Sequence, residues 1–99
     1  MAKRSATRKL LVANPAGLHA RPCLAVVNTV RKFRSRVQLR KDDQVVDAGE
    51  ILQLMTLGAP RGTELVATAK GPDAVEVLAA LADLFSRNFG LPGAIPTES

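Results

Sequence analysis

The 99 residues include one cysteine, one histidine, three phenylalanines and no tryptophan or tyrosine, and each scarcity removes a class of explanation. Cys23 cannot close an internal disulfide, and a lone cysteine with a lone histidine does not make a metal-ligand cluster. Neither a secreted disulfide scaffold nor a metal site is expected. Three aromatic rings leave little for base stacking, and no GXXG or RNP-like string is present. No apolar run approaches the ~20 residues that span a bilayer. The apolar stretch behind the charged N-terminus, Leu10 to Ala13, is too short for a signal-peptide core. A cytoplasmic protein with no membrane contact is the expectation, and no cofactor motif appears.

Acid is also missing from the front of the chain. Residues 1–41 carry eleven Lys and Arg and no Asp or Glu, whereas residues 42–99 carry three cations and nine acids. The front is therefore +11 and the rest −6, within a net charge of +5. A lopsided field of this kind raises encounter rates with an acidic partner or with nucleic acid, without choosing between them.

What is present reads as one domain, since a core of this size does not divide well. Residues 1–6 read as a disordered lead. Thr7 to Ala13 places Leu10 and Val12 on one face, a first strand. From Ala20 to about Phe33, Cys23, Val26, Val27, Val30 and Phe33 recur at steps of three and four, which predicts a helix. Arg36 to Arg40 alternates with Val37 and Leu39 inward, and Lys41 to Gln44 turns it back into Val45-Val46 as a hairpin. Ile51, Leu52, Leu54, Met55 and Leu57 then crowd a short helix that Gly58 closes as a left-handed cap. Thr63 to Lys70 alternates again, with Leu65, Ala67 and Ala69 on one side. A last helix runs from about Asp73, its cap or first-turn acid, to Asn88, with Val75, Leu78, Leu81, Ala82, Phe85 and Phe89 at helical spacing. Residues 90–99, with two prolines, read as a loose tail. The order βαββαβα predicts an α+β open-faced sandwich: a four-stranded antiparallel sheet with three helices on one face.

The chemistry concentrates in Asn14-Pro-Ala-Gly-Leu-His-Ala-Arg-Pro22. His19 stands at a strand-to-helix junction, where Pro22 suits a first turn whose N–H groups have no intrahelical partner. His19 as N-cap would set its imidazole beside the free backbone N–H groups of Ala20, Arg21 and Cys23, at the positive end of a helix dipole. Such a terminus favours phosphate, and Arg21 adds a fork of donors. Taken singly, the histidine is equally a cap or a surface residue. Cys23 could be a nucleophile activated by the terminus, but a small buried residue on the helix is the simpler reading.

The string Gly17-Leu-His-Ala-Arg-Pro22 resembles the active-site signature of the HPr family, the histidine phosphocarriers of the phosphoenolpyruvate-dependent phosphotransferase system. The resemblance extends over about residues 7–89, including Ile51-Leu-Gln-Leu-Met-Thr-Leu-Gly58, which looks like the family's second helix. It implies that His19 accepts a phosphoryl group on Nδ1 from enzyme I and gives it to a histidine of a downstream, EIIA-type acceptor. It also implies that Ile51, Leu52 and Met55, with Glu50 before them, form the docking surface. Each of the three apolar residues could be core alone, but on a two-turn helix they cannot all be core together. No general-base partner or Walker loop accompanies His19, so a carrier is expected rather than an enzyme, and a monomer.

Two positions depart from the family pattern. Many members have Asn or Ser where this chain has Ala16, so a loop hydrogen bond is lost unless Asn14 supplies one. Many Gram-positive members have a regulatory serine where this chain has Glu50. Glutamate there is either a fixed mimic of the phosphorylated serine or simply an acid that stabilises a helix start. A basic nucleic-acid-binding α+β module is the alternative function. Whether the relay serves sugar transport or a regulatory branch stays open, with loss of the serine leaning towards regulation.

Overall fold

A computed structural model describes residues 4–15 and 17–90. The elements run β1 (Ser5–Leu11), α1 (Ala20–Val30), β2 (Arg36–Lys41), β3 (Gln44–Asp47), α2 (Ile51–Met55), β4 (Glu64–Lys70) and α3 (Ala74–Ser86), followed by a 3-10 turn at Asn88–Gly90. The strands form one antiparallel sheet in the order β1-β4-β2-β3. The expected βαββαβα order is the observed one.

Alternation along the strands decides where the core lies. Leu10, Val37, Leu39, Val46, Leu65, Ala67 and Ala69 are buried, and their strand neighbours face solvent or its margin. The helices cover the buried side with Cys23, Val26, Val27 and Val30 from α1, Leu54 from α2, and Ala74, Val77, Leu78, Leu81, Leu84 and Phe85 from α3. The sheet's other face is open, as a single apolar face per strand requires.

Several boundaries differ from the periodicity. The lead reaches less far than expected, because Ser5 and Ala6 pair with Lys70 and Ala69 and the Gly71 N–H donates to the Arg4 carbonyl. Residues 1–3 and 91–99 lie outside the described residues, and with them half of the expected lead and all of the expected tail but Gly90. Helix α1 stops at Val30, where Lys32 and Phe33 N–H groups turn back to the Thr29 and Val30 carbonyls. Phe33 still packs against the core from beyond the helix. On α3 the buried stripe is set by Ala74, Val77 and Leu84, and Val75 is 61% exposed. Val75 and Val77 offer two possible phases, and only docking on the sheet selects one.

Asp73 occupies the N-cap of α3 yet makes no capping bond with its side chain. Its carboxylate instead accepts the Arg34 N–H at 2.9 Å, the Ser35 N–H at 2.8 Å and the Ser35 hydroxyl at 2.5 Å. Its own N–H donates back to Ser35 Oγ at 3.1 Å. These bonds, the Ser35 hydroxyl first, hold the carboxyl below the usual carboxylate range. Gly71, with φ +147°, lets Ser35 approach, since a Cβ there would lie 2.7 Å from Ser35 Cα. The end of α1 is thereby tied to the start of α3.

Candidate functional site

The loop between β1 and α1 is fastened to the segment after α2. The Leu18 N–H donates to the Ala59 carbonyl at 2.7 Å, Gly62 donates to Val12 at 2.7 Å, and Val12 donates to Thr63 at 2.9 Å. Gly17 makes that approach possible: its φ is +74°, and a Cβ would lie 2.7 Å from the Ala59 carbonyl oxygen and 2.9 Å from Pro60 Cα. Only glycine combines that backbone conformation with that clearance. Inside the loop the buried Asn14 side chain donates from Nδ2 to the Gly17 carbonyl at 2.9 Å. Asn14, close in sequence to the departing position, thus supplies a hydrogen bond within the loop; Ala16 itself lies outside the described residues. Leu18 is buried beneath the loop as its apolar anchor.

Anchored in this way, the chain delivers His19 to the N-cap of α1 in extended conformation, φ −121° and ψ −162°. The residue is exposed and its side chain makes no capping bond. The expected anion cradle is smaller than three amides. The Cys23 N–H donates to the His19 carbonyl at 2.9 Å and closes the first helical turn. Pro22 has no N–H. The amides of Ala20 and Arg21 have no acceptor among the described residues, and both residues are exposed. The cradle thus consists of two amides, the dipole and the Arg21 guanidinium, which has no carboxylate partner among the described residues. Cys23 is fully buried and burial pushes its thiol up, so it is a core residue and not a nucleophile.

Helix α2 divides its apolar residues as a short helix must. Leu54 is buried and Leu57 follows it inward, whereas Leu52 is 78% and Met55 46% exposed and Ile51 is half-buried against the core. The helix ends at Met55 with Thr56 as its C-cap, so Gly58, though left-handed at φ +56°, lies two residues beyond the cap rather than forming it as expected. Glu50 is exposed at the N-cap with no capping bond from its side chain, one position before the first turn. Leu24 on α1 is also exposed, at 52%. Helical spacing marks the buried stripe and gives no signal for an apolar residue beside it. The contacts of Ala59 and Pro60 with Gly17 were equally invisible in sequence, because they join segments some forty residues apart.

These features define a class: an open-faced α+β sandwich that displays one imidazole to solvent at the head of a helix, beside donors that have no partner among the described residues and suit a phosphoryl group. The family model for the PTS HPr component phosphorylation site matches residues 6–87. A phosphocarrier protein HPr of Treponema pallidum is 38% identical over 78 residues, covering 79% of this chain and 89% of that protein. A phosphocarrier protein NPr of Klebsiella oxytoca is 33% identical over 79 residues, covering 79% of this chain and 88% of its own length. A crystal structure of HPr from Thermoanaerobacter tengcongensis superposes with a TM-score of 0.83 at 36% identity, covering 87% of this chain and 97% of that one. The chain belongs to the HPr family and is a phosphocarrier component of the phosphotransferase system.

Proposed function

We propose that His19 is the residue that carries the phosphoryl group. The supporting observation is its position at the N-cap of α1, exposed and without a capping bond, next to the unspent amides of Ala20 and Arg21. The imidazole Nδ1 lone pair forms the new bond to phosphorus as the bond to the donor group on enzyme I breaks. The two amides, the dipole and Arg21 hold the phosphoryl oxygens. Positioning and charge stabilisation are most of what phosphoryl transfer asks of a protein. The cradle is open to solvent, so it steadies the group without trapping it, and the next acceptor, an EIIA-type protein, can attack from outside.

Leu52 and Met55, with Ile51 at their margin, form the apolar part of the surface that docks these partners, and the basic front half supplies a rim for acidic ones. Turnover requires the partner proteins, so the chain is a cytoplasmic carrier and not an enzyme, and it works as a monomer. No helix of the described residues is long and apolar enough to cross a membrane.

Incubation with phosphoenolpyruvate and enzyme I should place an acid-labile, alkali-stable phosphate on the chain, and His19→Ala should abolish it. Persistence of the label in that variant refutes the assignment. Glu50, at the head of α2, is taken first as an acid that stabilises a helix start, and Glu50→Ser tests whether it also acts as a fixed partial mimic of a phosphorylated serine. As a mimic its replacement changes the rate of phosphoryl uptake severalfold; an unchanged rate leaves only the helix-start acid.

A further inference from the structure

No helix of the described residues covers the outer face of the sheet, and the strand register sets out its side chains. Lys9, Val66 and Arg40 lie side by side on β1, β4 and β2, and Val45 of β3 completes the row. Four residues further along β4, Lys70 stands between Ser5 and Arg36. At the usual rise of a strand the two rows are about 13 Å apart. Alternation turns these residues outward: Leu10, Val37, Leu39, Leu65 and Ala69 beside them in sequence are buried, whereas Lys9, Arg36, Arg40 and Lys70 are exposed.

Two features of this face work against the fold. Arg36 and Lys70 are direct cross-strand partners, and like charges placed opposite each other destabilise a sheet. No carboxylate relieves them. The one salt bridge among the described residues is Arg87–Asp83, on α3. Asp73, bonded to the residue before Arg36, spends its carboxylate on the Arg34 and Ser35 backbone and on the Ser35 hydroxyl. The second feature is apolar exposure within a row of cations: Val45 is 51% exposed and Val66 is half-buried. Local rules broken without a gain inside the fold mark a surface used for something outside it.

The layout sets the chemistry of the occupant. Four cations outnumber the two acids of the outer face, Glu64 and Asp47, which stand at the start of β4 and the end of β3. The face therefore attracts anionic groups. A uniform polyanion fits it poorly, because those two carboxylates repel it and no aromatic ring stands on the strands to stack a base. A protein surface can set carboxylates against the cations and apolar side chains against the valines between them.

We propose that the outer face of the sheet docks an acidic protein partner, its carboxylates on the Arg36–Lys70 pair and on Lys9 and Arg40, its apolar side chains on Val66 and Val45. The helices that carry the exposed Leu52 and Met55 lie on the other side of the sheet, so a chain held in this way keeps its relay surface accessible.

The probe is a short synthetic peptide alternating Glu and Val, titrated into the nitrogen-15-labelled full chain. Polyuridylate and phosphatidylglycerol vesicles are run beside it at equal anionic charge and ionic strength. The peptide should give saturable amide shifts at residues 7–9, 36–40 and 66–70 and bind more tightly than either polyanion, and the same peptide with Gln for Glu should give no shifts. The double variant Arg36→Gln/Lys70→Gln should weaken peptide binding about fivefold, the scale of two exposed ion pairs, and leave phosphoryl uptake from enzyme I unchanged. It should also raise the urea midpoint, since it removes a like-charge pair. His19→Ala should leave peptide binding unchanged, which separates this surface from the relay site. Shifts concentrated at residues 19–24 and 51–55, undiminished binding in the double variant, or a lowered urea midpoint overturn the surface. Tighter binding of polyuridylate or of the vesicles overturns the choice of a protein partner.

Discussion

Two helices of this protein begin in the same formal way and end up with opposite roles. Helices α1 and α3 each have a polar N-cap residue, His19 and Asp73, whose side chain makes no capping bond. Asp73 has spent its carboxylate elsewhere, on three donors from Arg34 and Ser35, and ties two helices together. Among the described residues, the His19 side chain makes no capping bond and the amides of Ala20 and Arg21 behind it have no acceptor, while the residue itself stands exposed. A polar group whose bonding capacity is used up within the protein is structural; one held in place by other residues with its own capacity unused is available for chemistry. The fixing of His19 is done by Asn14, Gly17, Leu18 and Ala59, which leaves the imidazole free.

The contrast can be broken at either end. The largest effect is on activity: His19→Ala should reduce phosphoryl uptake to background and leave the thermal midpoint within experimental scatter, because the imidazole holds nothing together. A fall of several degrees would make His19 a structural cap after all. Next comes the fastening of the loop. Gly17→Ala imposes a strained backbone and a clash with the Ala59 carbonyl, and should cost about 1–3 kcal/mol in denaturant unfolding while slowing phosphoryl uptake. Stability lost with full uptake would separate the loop's fastening from its chemistry.

At the other helix, Asp73→Asn should lower the thermal midpoint and leave phosphoryl uptake intact once the protein is folded. The effect depends on pH in a definite sense. The folded carboxyl is held below its ordinary value of 3.8, so its contribution is fully present above that value. It drains away as the pH falls through the lower, folded value, because the unfolded chain takes up its proton first. The difference in urea midpoint between the parent chain and Asp73→Asn should therefore shrink as the pH drops below about 4; a constant difference would mean that Asp73 acts through shape and not charge. The smallest effect concerns Cys23. Its buried, raised thiol should react with a disulfide reagent at neutral pH at least about tenfold more slowly than in the unfolded chain. Fast labelling would reopen the nucleophile reading.

Much of the architecture was legible because each strand buries one face, so a period of two marks both the element and its inward side. Val37, Leu39, Leu65, Ala67 and Ala69 are all found where alternation places them. Legibility fails where a segment has more apolar positions than one face can use. On α3, Val75 and Val77 permit two helical phases, and the buried one follows from how the helix sits on the sheet. The start of β1 was missed because Ser5 and Ala6 carry no strand signal of their own and are strand only through Lys70 and Ala69. The donors at the site were overcounted for a local reason: the Cys23 amide already has the His19 carbonyl within reach.

The sequence by itself determined the order of the elements, the inward faces of the strands and the junction at which His19 stands, since all three depend on neighbours within a few residues. The tertiary structure decided what remains free to act. It assigned Leu54 to the core and Leu52 to solvent, fastened the His19 loop to Ala59 through a gap that only Gly17 leaves, and used up Asp73 while sparing His19. Whether a polar or apolar group is spent depends on partners distant in the chain, and only folding brings those partners within reach.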